Sequence, residues 1–246
     1  MNNLLISALS PKSYESLSAY CVPVVLPIRS ELYVAHETPR YAYFMTSGLA
    51  SVVMSSSDGH SSEVGMVGRE GIVGAMHLLG PIAAPPDCMV QLEATALRIS
   101  LYHLKTAFDS SKEIQERILE VLQEQSFSFS QIAGCHALHA ADARLARWLL
   151  MAQDRTQSEV LRFTQEFLAE MIGAQRSTVT VIAGGFQRQN MIEYSRGKVQ
   201  ITDRKALESA ACGCYQVVKD MYQNLYSSKD PQVLYGRLLT MRGTPA

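Results

Sequence analysis

The sequence predicts an α+β protein in which a strand-rich half precedes a helical half, because the spacing of apolar residues changes along the chain. From about Val22 to Leu104, short apolar segments alternate with glycines and with turns such as Asp58-Gly59, as in a small β-barrel or roll. From about Thr106 the spacing becomes that of a long helix, and Thr164 to Asn190 reads as two short helices joined by a turn. The expected architecture is an N-terminal double-stranded β-helix (a jelly-roll or cupin-like β-roll), a long helix and a C-terminal helix-turn-helix.

The strand-rich half contains several candidate strands. Residues 41–48 and 50–57 read as two short strands, and Met89 to Ser100 reads as a closing strand pair. The proline-rich segment from Gly80 to Asp87 reads as the loop before that pair. Together these segments predict a closed β-roll.

The composition fits a globular protein with two domains. The 246 residues are 47% hydrophobic and 18% charged, and the formal net charge is −1. The initial segment MNNLLISALS lacks the basic start and long apolar stretch of a secretory signal, and no later apolar run is long enough to span a membrane. We therefore expect a cytoplasmic protein without a membrane partner.

The cysteines predict neither a disulfide framework nor a metal site. The chain has five cysteines, an odd number, and none is spaced as C-x-x-C. Cys135 and His139 are one helical turn apart, but two ligands without a third nearby rarely make a metal site. Cys212 and Cys214 fall on a helix expected from Arg204 to Tyr226, where they point to different sides and pack. The sequence thus predicts free thiols, no metal and no cofactor.

The long helix carries a seam that predicts a dimer. The seam residues recur at alternating steps of four and three: Ile118, Leu122, Gln125, Phe129 and Ile132. Such a seam needs a partner helix, and the simplest partner is the same helix of a second copy related by a two-fold axis. We therefore predict a homodimer interface here, in which Gln125 either fixes the register or faces water.

A second amphipathic helix is expected from Leu138 onward. Its apolar stripe consists of Leu138, Ala141, Leu145, Trp148, Leu149 and Ala152. Arg144 and Arg147 lie off this stripe. We expect this helix to pack beneath the helix-turn-helix.

The segment from Thr164 to Asn190 carries the signals of a helix-turn-helix. The Thr164 hydroxyl can cap the first helix, and Gly173 supplies the positive φ that ends it sharply. The second helix has a buried stripe that consists of Val179, Ile182, Ala183 and Phe186. The opposite face is left with Arg176, small hydroxyl residues and Gln187. The two helices are therefore expected to expose a polar face.

This polar face suits the major groove of DNA. An arginine can bond guanine O6 and N7 bidentately, small side chains let the helix enter the groove, and hydroxyls or glutamine reach phosphates or adenine. A plain helical hairpin with a solvated polar face is the alternative. The residues predicted to contact DNA are Thr164, Gln165, Arg176, Ser177, Thr178, Thr180, Val181, Gln187, Arg188, Arg196 and Lys198.

A short hairpin behind the second helix favours the DNA interpretation. Residues Met191 to Asp203 read as two strands around a turn at 195–198, which makes the helix-turn-helix a winged one. Basic residues outnumber acidic ones from Arg176 to Arg204, whereas acidic residues outnumber basic ones from Met1 to Phe108. The positive charge thus lies where a phosphate backbone would be met. The domains are placed at residues 1–108 (β-roll), 109–137 (dimerisation helix) and 138–226 (winged helix-turn-helix), with a tail at 227–246.

The order of these parts resembles the Crp/Fnr family of bacterial transcription regulators. The local strings that carry the resemblance are Ser56 to Gly74, Cys135 to Arg155 and Phe163 to Thr180. The resemblance implies a homodimeric regulator that binds an inverted repeat in double-stranded DNA. It also implies an unknown small-molecule effector, and it makes RNA polymerase a candidate partner.

The start of the second helix departs from the family pattern. In this family the helix that enters the groove begins with an Arg-Glu-Thr-Val-like run, which here is Arg176 to Val179. The resemblance implies a base contact for Arg176 and a phosphate contact for Thr178. Ser177 replaces the glutamate and Val181 replaces a later arginine, so a different DNA sequence is expected.

The sensor half departs more sharply. In members that bind cyclic nucleotides, a Gly-Glu pair holds the ribose and an Arg-Ser pair holds the phosphate. The matching positions here are Gly74-Ala75 and Asp87-Cys88, so the resemblance implies a degenerate effector pocket that does not bind cyclic AMP. Cys21 alone cannot supply the four N-terminal thiolates of the iron–sulfur members. A cyclic dinucleotide, or haem held by His77, remains an alternative effector.

An enzyme of cupin type is the competing class of function. The β-roll lacks the His-x-His…Glu…His set that such an enzyme needs, and no Ser-His or paired-carboxylate motif is present. The sequence therefore predicts a DNA-binding regulator and no enzyme activity.

Overall fold

The N-terminal half is a β-roll flanked by short helices. The structure is a computed structural model that describes residues 3–57, 59, 61–80 and 83–227, so the predicted tail lies outside it apart from its first residue. The helices are α1 (Leu4–Ser7) and α2 (Pro11–Ser18). The strands are β1 (Val22–Leu26), β2 (Glu31–Tyr33), β3 (Tyr41–Ser55), β4 (Ser61–Val67), β5 (Ile72–Val73) and β6 (Asp87–Ser100). A single 3-10 turn at Ala75–Leu78 follows β5.

The strands form one antiparallel sheet that curls around an apolar interior. The order is β1-β6-β3-β4, with β2 added to β6 and β5 added to β3. The long strands β3 and β6 pair from Tyr41 opposite Ser100 to Val53 opposite Asp87. Buried side chains such as Met45, Val67 and Val90 fill the interior. This confirms the jelly-roll-like architecture predicted from the sequence.

Two strand predictions are corrected by this pairing. The segments on either side of Leu49 form the single strand β3, and Met89 to Ser100 belongs to the single strand β6. The register of the pair shifts between Met45 and Ala50, around Gly48, whose φ is +73°. A Cβ atom at Gly48 would lie 2.4 Å from the Glu93 carbonyl oxygen. Gly48 therefore lets one continuous strand bend where the sequence suggested a strand end.

The C-terminal half is helical with a small sheet. Its helices are α3 (Leu101–Ser110), α4 (Lys112–Leu138), α5 (Ala141–Thr156), α6 (Gln165–Met171), α7 (Arg176–Arg188), α8 (Arg204–Ala210) and α9 (Cys214–Ser227). Its strands are β7 (Val160–Arg162), β8 (Ile192–Ser195) and β9 (Lys198–Ile201), in the order β7-β9-β8. The core includes Trp148 and Phe163, which lie edge to face with ring centroids 4.8 Å apart. Helix α5 packs beneath α6 and α7, as the sequence predicted.

The predicted dimer seam on α4 is covered by the chain itself. Ile118 and Leu122 are buried in the cluster that lies between α4 and the β-roll, and Ile132 is buried in the core of the helical half. The Gln125 side-chain nitrogen donates to the Ile72 carbonyl oxygen at 3.2 Å, and Phe129 packs on the β-roll interior. The seam prediction is therefore corrected, because an intrachain core satisfies these residues.

The opposite face of α4 points away from the chain. Its exposed side chains recur at helical spacing along the whole helix and include two large apolar ones, Leu119 (42% exposed) and Phe127 (57% exposed). We call this face the outward stripe, and it consists of Glu116, Leu119, Gln123, Phe127, Ser130 and Ala137. The sequence pattern could not separate these two faces, because both contain apolar residues.

The single helix predicted from Arg204 to Tyr226 is two helices. Helix α8 ends at Ala210, and Ala211 is extended (ψ 150°). The chain then turns, so that Cys212 lies between the helices and Cys214 begins α9. The break brings both cysteines against the end of α4 instead of placing them on different sides of one helix.

Candidate DNA-binding interface and effector pocket

The helix-turn-helix is held by local capping and a shared core. The Thr164 hydroxyl oxygen accepts a hydrogen bond from the Phe167 backbone N–H at 3.1 Å, which fixes the start of α6. Gly173, with a φ of +59°, ends the first helix and turns the chain toward α7. Val179 and Ala183 on α7 are buried in the same core as Leu168. This geometry confirms the predicted helix-turn-helix.

The outer face of α7 presents the residues predicted to read DNA. Arg176, Ser177 and Thr180 are exposed, and Val181 is 70% exposed. The Thr180 hydroxyl donates to the Gln165 side-chain oxygen at 2.6 Å, so these two side chains are positioned by each other across α6 and α7. Thr178 is half-buried at the edge of this face. The structure thus brings the predicted residues of α6 and α7 onto one surface.

The wing extends this surface. Strands β8 and β9 pair from Ile192 opposite Ile201 to Ser195 opposite Lys198, and the turn between them has positive φ at Arg196 and Gly197. Arg196 and Lys198 are exposed. The wing is attached to α7 because the Gln187 side-chain nitrogen donates to the Tyr194 carbonyl oxygen at 3.3 Å. Gln187 therefore positions the wing, while Arg188 is exposed at the end of α7.

A further basic residue that the sequence analysis missed joins the wing. Strand β7 pairs with β9, and this places exposed Arg162 directly opposite Lys198. Arg162 precedes the helix-turn-helix in sequence, and no local pattern connects it with the wing. Only the register of the small sheet brings the two cations together.

The β-roll contains a cavity of about 330 Å³ beside α4. It is lined mainly by apolar side chains from the sheet, by Ala83 to Pro86 and by Phe129. Of the four residues predicted to form a degenerate effector pocket, Gly74 and Ala75 line this cavity and Asp87 and Cys88 do not.

Asp87 and Cys88 have other roles. An Asp87 carboxylate oxygen accepts a hydrogen bond from the Ala35 backbone N–H at 2.7 Å, and the Cys88 side chain is fully buried in the β-roll core. The match of Asp87-Cys88 to the phosphate-binding pair of the family is therefore corrected, because the Asp87 carboxylate binds the backbone and neither residue lines the cavity.

The cavity is lined by few polar side chains, and none of them carries a permanent charge. They are the Tyr33 hydroxyl, the Gln125 amide and the His77 imidazole. His77 Nδ1 lies 3.2 Å from the Gly74 carbonyl oxygen, and its Nε2 is buried without a hydrogen-bond partner. No arginine or lysine is among the described residues that line the cavity. The cavity thus offers no cation to a phosphate group.

Polar contacts fasten the β-roll to the helical half. The Trp148 indole N–H donates to Glu63 at 2.9 Å, and the Ser51 hydroxyl donates to the other oxygen of that carboxyl group. Arg155 on α5 pairs with Glu70 at 2.8 Å, and both side chains are buried. These contacts lie beside the apolar side chains that join the two halves.

Glu124 on α4 lies near this buried ion pair. Its burial predicts that the free energy of unfolding depends on pH. Burial is the main cause that raises its pKa to about 7, a rise that Arg155 opposes and Glu70 supports. Its Oε1 has no hydrogen-bond partner. Because the pKa of Glu124 is higher in the folded than in the unfolded state, the carboxyl group favours folding most while it is protonated. The stability that depends on this protonation is full below about pH 4.5 and is lost as the pH rises through 7. Glu124→Gln should therefore raise the free energy of unfolding at pH 8 by about 1 to 3 kcal/mol and change it little at pH 5.

Urea denaturation of Glu124→Gln at both pH values measures this effect. Glu15→Gln, an exposed substitution on α2, is the matched control and should shift neither transition. An equal loss of stability at pH 5 and pH 8 would mean that Glu124 acts as a charged partner of Arg155.

A β-roll joined through a long helix to a winged helix-turn-helix defines a class of two-domain transcription regulators. The family model described as the cyclic nucleotide-binding domain matches residues 23–111, and the model described as the Crp-like helix-turn-helix domain matches residues 143–210. Together the two models cover more than half of the chain. The chain belongs to the Crp/Fnr family of transcription regulators.

Relatives of known structure or name support this assignment. The CRP-like cAMP-activated global transcriptional regulator of Mycobacterium tuberculosis is 22% identical over 214 residues, which cover 84% of this chain and 96% of the relative. A putative Crp/Fnr regulator from Eubacterium rectale superposes with a TM-score of 0.67 at 17% identity, over 84% of this chain and 96% of the other. The c-di-GMP responsive regulator CLP of Xanthomonas campestris gives 0.65 at 18% identity, over 78% and 99%. At these identities the structural likeness establishes the fold alone.

Among the described residues, no helix combines the length and the apolar character that crossing a membrane requires.

Proposed function

We propose that this regulator binds an inverted repeat in double-stranded DNA as a homodimer, with the exposed face of α7 in the major groove. The observation that carries the proposal is the single surface formed by Arg176, Ser177 and Thr180 on α7 with the basic wing beside it. An exposed arginine at the start of such a helix suits bidentate contact with guanine, and the wing cations suit the phosphate backbone.

The remaining contacts follow from the same surface. Thr164, Gln165 and Thr178 lie where α6 and α7 would meet a phosphate strand, and Val181 would make an apolar contact with a base edge. Arg188, Arg196 and Lys198 would add phosphate contacts at the end of α7 and in the wing, while Gln187 holds the wing in place. Arg162 joins this set.

The outward stripe of α4 is the proposed dimer interface. On this face Leu119 is 42% exposed and Phe127 is 57% exposed, whereas Leu122 in the predicted seam is only 3% exposed. Small residues such as Ser130 and Ala137 on the same face would let a second α4 approach closely. A two-fold axis along this face would make residues 109–137 the dimerisation segment between the β-roll (1–108) and the DNA-binding domain (138–226).

Selection of bound sequences from random double-stranded DNA tests the proposed function. We expect enrichment of an inverted repeat whose half-site centres are roughly 34 Å apart, because two α7 helices related by a two-fold axis must enter successive major grooves on one side of the duplex. Recovery of a direct repeat, of a single half-site or of no sequence at all would contradict the proposal.

We propose that any effector bound in the β-roll cavity is uncharged. The cavity is apolar, its polar groups are a phenol, an amide and an imidazole, and none is a permanent cation. A buried phosphate without a partner charge costs several kcal/mol. This cost disfavours cyclic mononucleotides and cyclic dinucleotides alike.

RNA polymerase remains a candidate protein partner of the DNA-bound regulator.

Cyclic AMP is therefore expected neither to bind the β-roll usefully nor to control operator binding. Ala75 offers no carboxylate to the ribose, and the cavity offers no cation to the phosphate. Calorimetric titration of the purified dimer with cyclic AMP, cyclic GMP and cyclic di-GMP should give no saturable heat, and the operator should be bound without added nucleotide. A micromolar dissociation constant for any of the three would overturn this expectation.

A further inference from the structure

Four potential metal ligands converge at the end of α4. They are Cys135, His139, Cys212 and Cys214, and their ligand atoms all lie within 4.8 Å of one another. The Sγ atoms of Cys135 and Cys212 are 3.4 Å apart, and the Sγ atom of Cys214 is 3.5 Å from His139 Nδ1. The three cysteines are buried and the histidine is half-buried.

The convergence results from the break between α8 and α9. Cys135 and His139 lie one turn apart where α4 ends, and the sequence offered no third ligand to them. Cys212 and Cys214 lie in the connection between α8 and α9, and Cys212 is 77 residues after Cys135 in the sequence. The sequence-based expectation that Cys135 and His139 have no third ligand nearby is therefore corrected.

The separations fit one tetrahedral ion. With Zn–S distances of about 2.3 Å and Zn–N distances of about 2.0 Å, the edges of a zinc tetrahedron are about 3.5 to 3.8 Å long. The two short separations, 3.4 and 3.5 Å, are close to that edge without any rearrangement of the backbone. Three cysteines and one histidine make a closed ligand set that is usual for structural zinc. An iron–sulfur cluster would hold its thiolates further apart.

A buried arginine provides an independent reason to expect negative charge here. The Arg147 side chain is fully buried, and its Nε and Nη2 atoms have no hydrogen-bond partner. Its positive charge acts on Cys135 and Cys212 and also on the Glu63 carboxyl group, whose pKa burial raises to about 7. An interior guanidinium needs an anionic neighbour. A divalent ion with three thiolates and a neutral imidazole carries one negative charge, which would neutralise Arg147.

The surroundings also support thiolate ligands. The Gln131 side-chain nitrogen donates to the Cys214 sulfur at 3.1 Å. A hydrogen bond to a ligating sulfur is a usual outer-shell contact of a metal site, because it stabilises the thiolate form.

We propose that Cys135, His139, Cys212 and Cys214 bind one Zn²⁺ ion that ties the end of the long helix α4 to the winged helix-turn-helix domain. Each pair of ligands comes from a different element, α4 on one side and the α8–α9 connection on the other. The ion therefore cross-links α4 to the α8–α9 connection, at the point where the chain turns from α4 into α5 at His139 and Ala140.

Metal analysis of the purified full-length chain, kept reduced, tests the site. We expect about one zinc per chain, and at least about a tenfold lower content in Cys214→Ser and in His139→Ala, because both variants lose a ligand. Cys21→Ser, which removes a thiol far from the cluster, is the matched control and should keep its zinc. Zinc retained by both ligand variants would overturn the proposal.

Cobalt substitution of the wild-type chain gives a readout that does not depend on the folding of a variant. After removal of zinc with a chelator, added Co²⁺ should give a thiolate-to-metal charge-transfer band and the intense visible absorption of a tetrahedral ion, both saturating at about one equivalent. Absence of zinc together with absence of these bands would overturn the proposal. A Cys135–Cys212 disulfide in the freshly purified protein without bound metal, or several iron atoms per chain, would overturn it too.

Discussion

Phe127→Glu is expected to convert the dimer into a folded monomer. Phe127 lies in the middle of the outward stripe and is 57% exposed in the single chain, so its replacement removes no intrachain core. Full burial of such a side chain stabilises a complex by about 1.5 to 3 kcal/mol, and a two-fold dimer contains two of them. The substitution also places two carboxylates close to the axis. We expect the dissociation constant to rise by at least about a hundredfold.

Leu122→Glu is the matched variant on the other face of the same helix. Leu122 is only 3% exposed and packs against the β-roll, so the carboxylate would be buried without a partner. The free energy of unfolding should fall by about 4 kcal/mol or more. One helix thus offers one substitution that affects assembly and one that affects folding.

Sedimentation velocity at micromolar concentration and thermal denaturation distinguish the two variants. Phe127→Glu should sediment as a monomer with only a small change in intrinsic stability, and Leu122→Glu should melt at a much lower temperature or fail to accumulate. A wild-type chain that is already monomeric at this concentration would contradict the dimer. Phe127→Glu that stays dimeric would place the interface elsewhere.

Arg176→Ala is expected to lose about 1 to 3 kcal/mol of operator affinity at one base position and to relax sequence preference there. Arg176 is exposed in the first turn of α7, where a guanidinium can reach the edge of a guanine. Its loss should matter far less on random DNA, because a base contact contributes only where its base is present.

The wing variants are the matched comparison. Arg196→Ala, Lys198→Ala and Arg162→Ala should weaken binding to all sequences alike and should each lower the salt dependence of the binding constant by about one unit of slope. Fluorescence anisotropy on operator and scrambled duplexes, at several salt concentrations, measures both effects. An equal loss on the two duplexes for Arg176→Ala would mean that it contacts only phosphate.

The sequence was sufficient for the helix-turn-helix because the signals that define it are local. A threonine cap, a glycine with positive φ and an apolar stripe act within a few residues, and Thr164, Gly173 and Val179 take the predicted positions. The turn of the wing was likewise predicted, because Arg196 and Gly197 supply the positive φ values that a tight hairpin requires.

The tertiary structure decided which partner each surface meets. The apolar seam of α4 indicated that Leu122 is buried. The spacing of the apolar residues does not say whether a sheet or a second helix buries it. The hydrogen bond between Ala35 and Asp87, the pairing of Arg162 with Lys198 and the convergence of Cys135 with Cys212 all join residues that are far apart in sequence. Periodicity records which side of an element is apolar, whereas contacts between elements depend on how the whole chain packs.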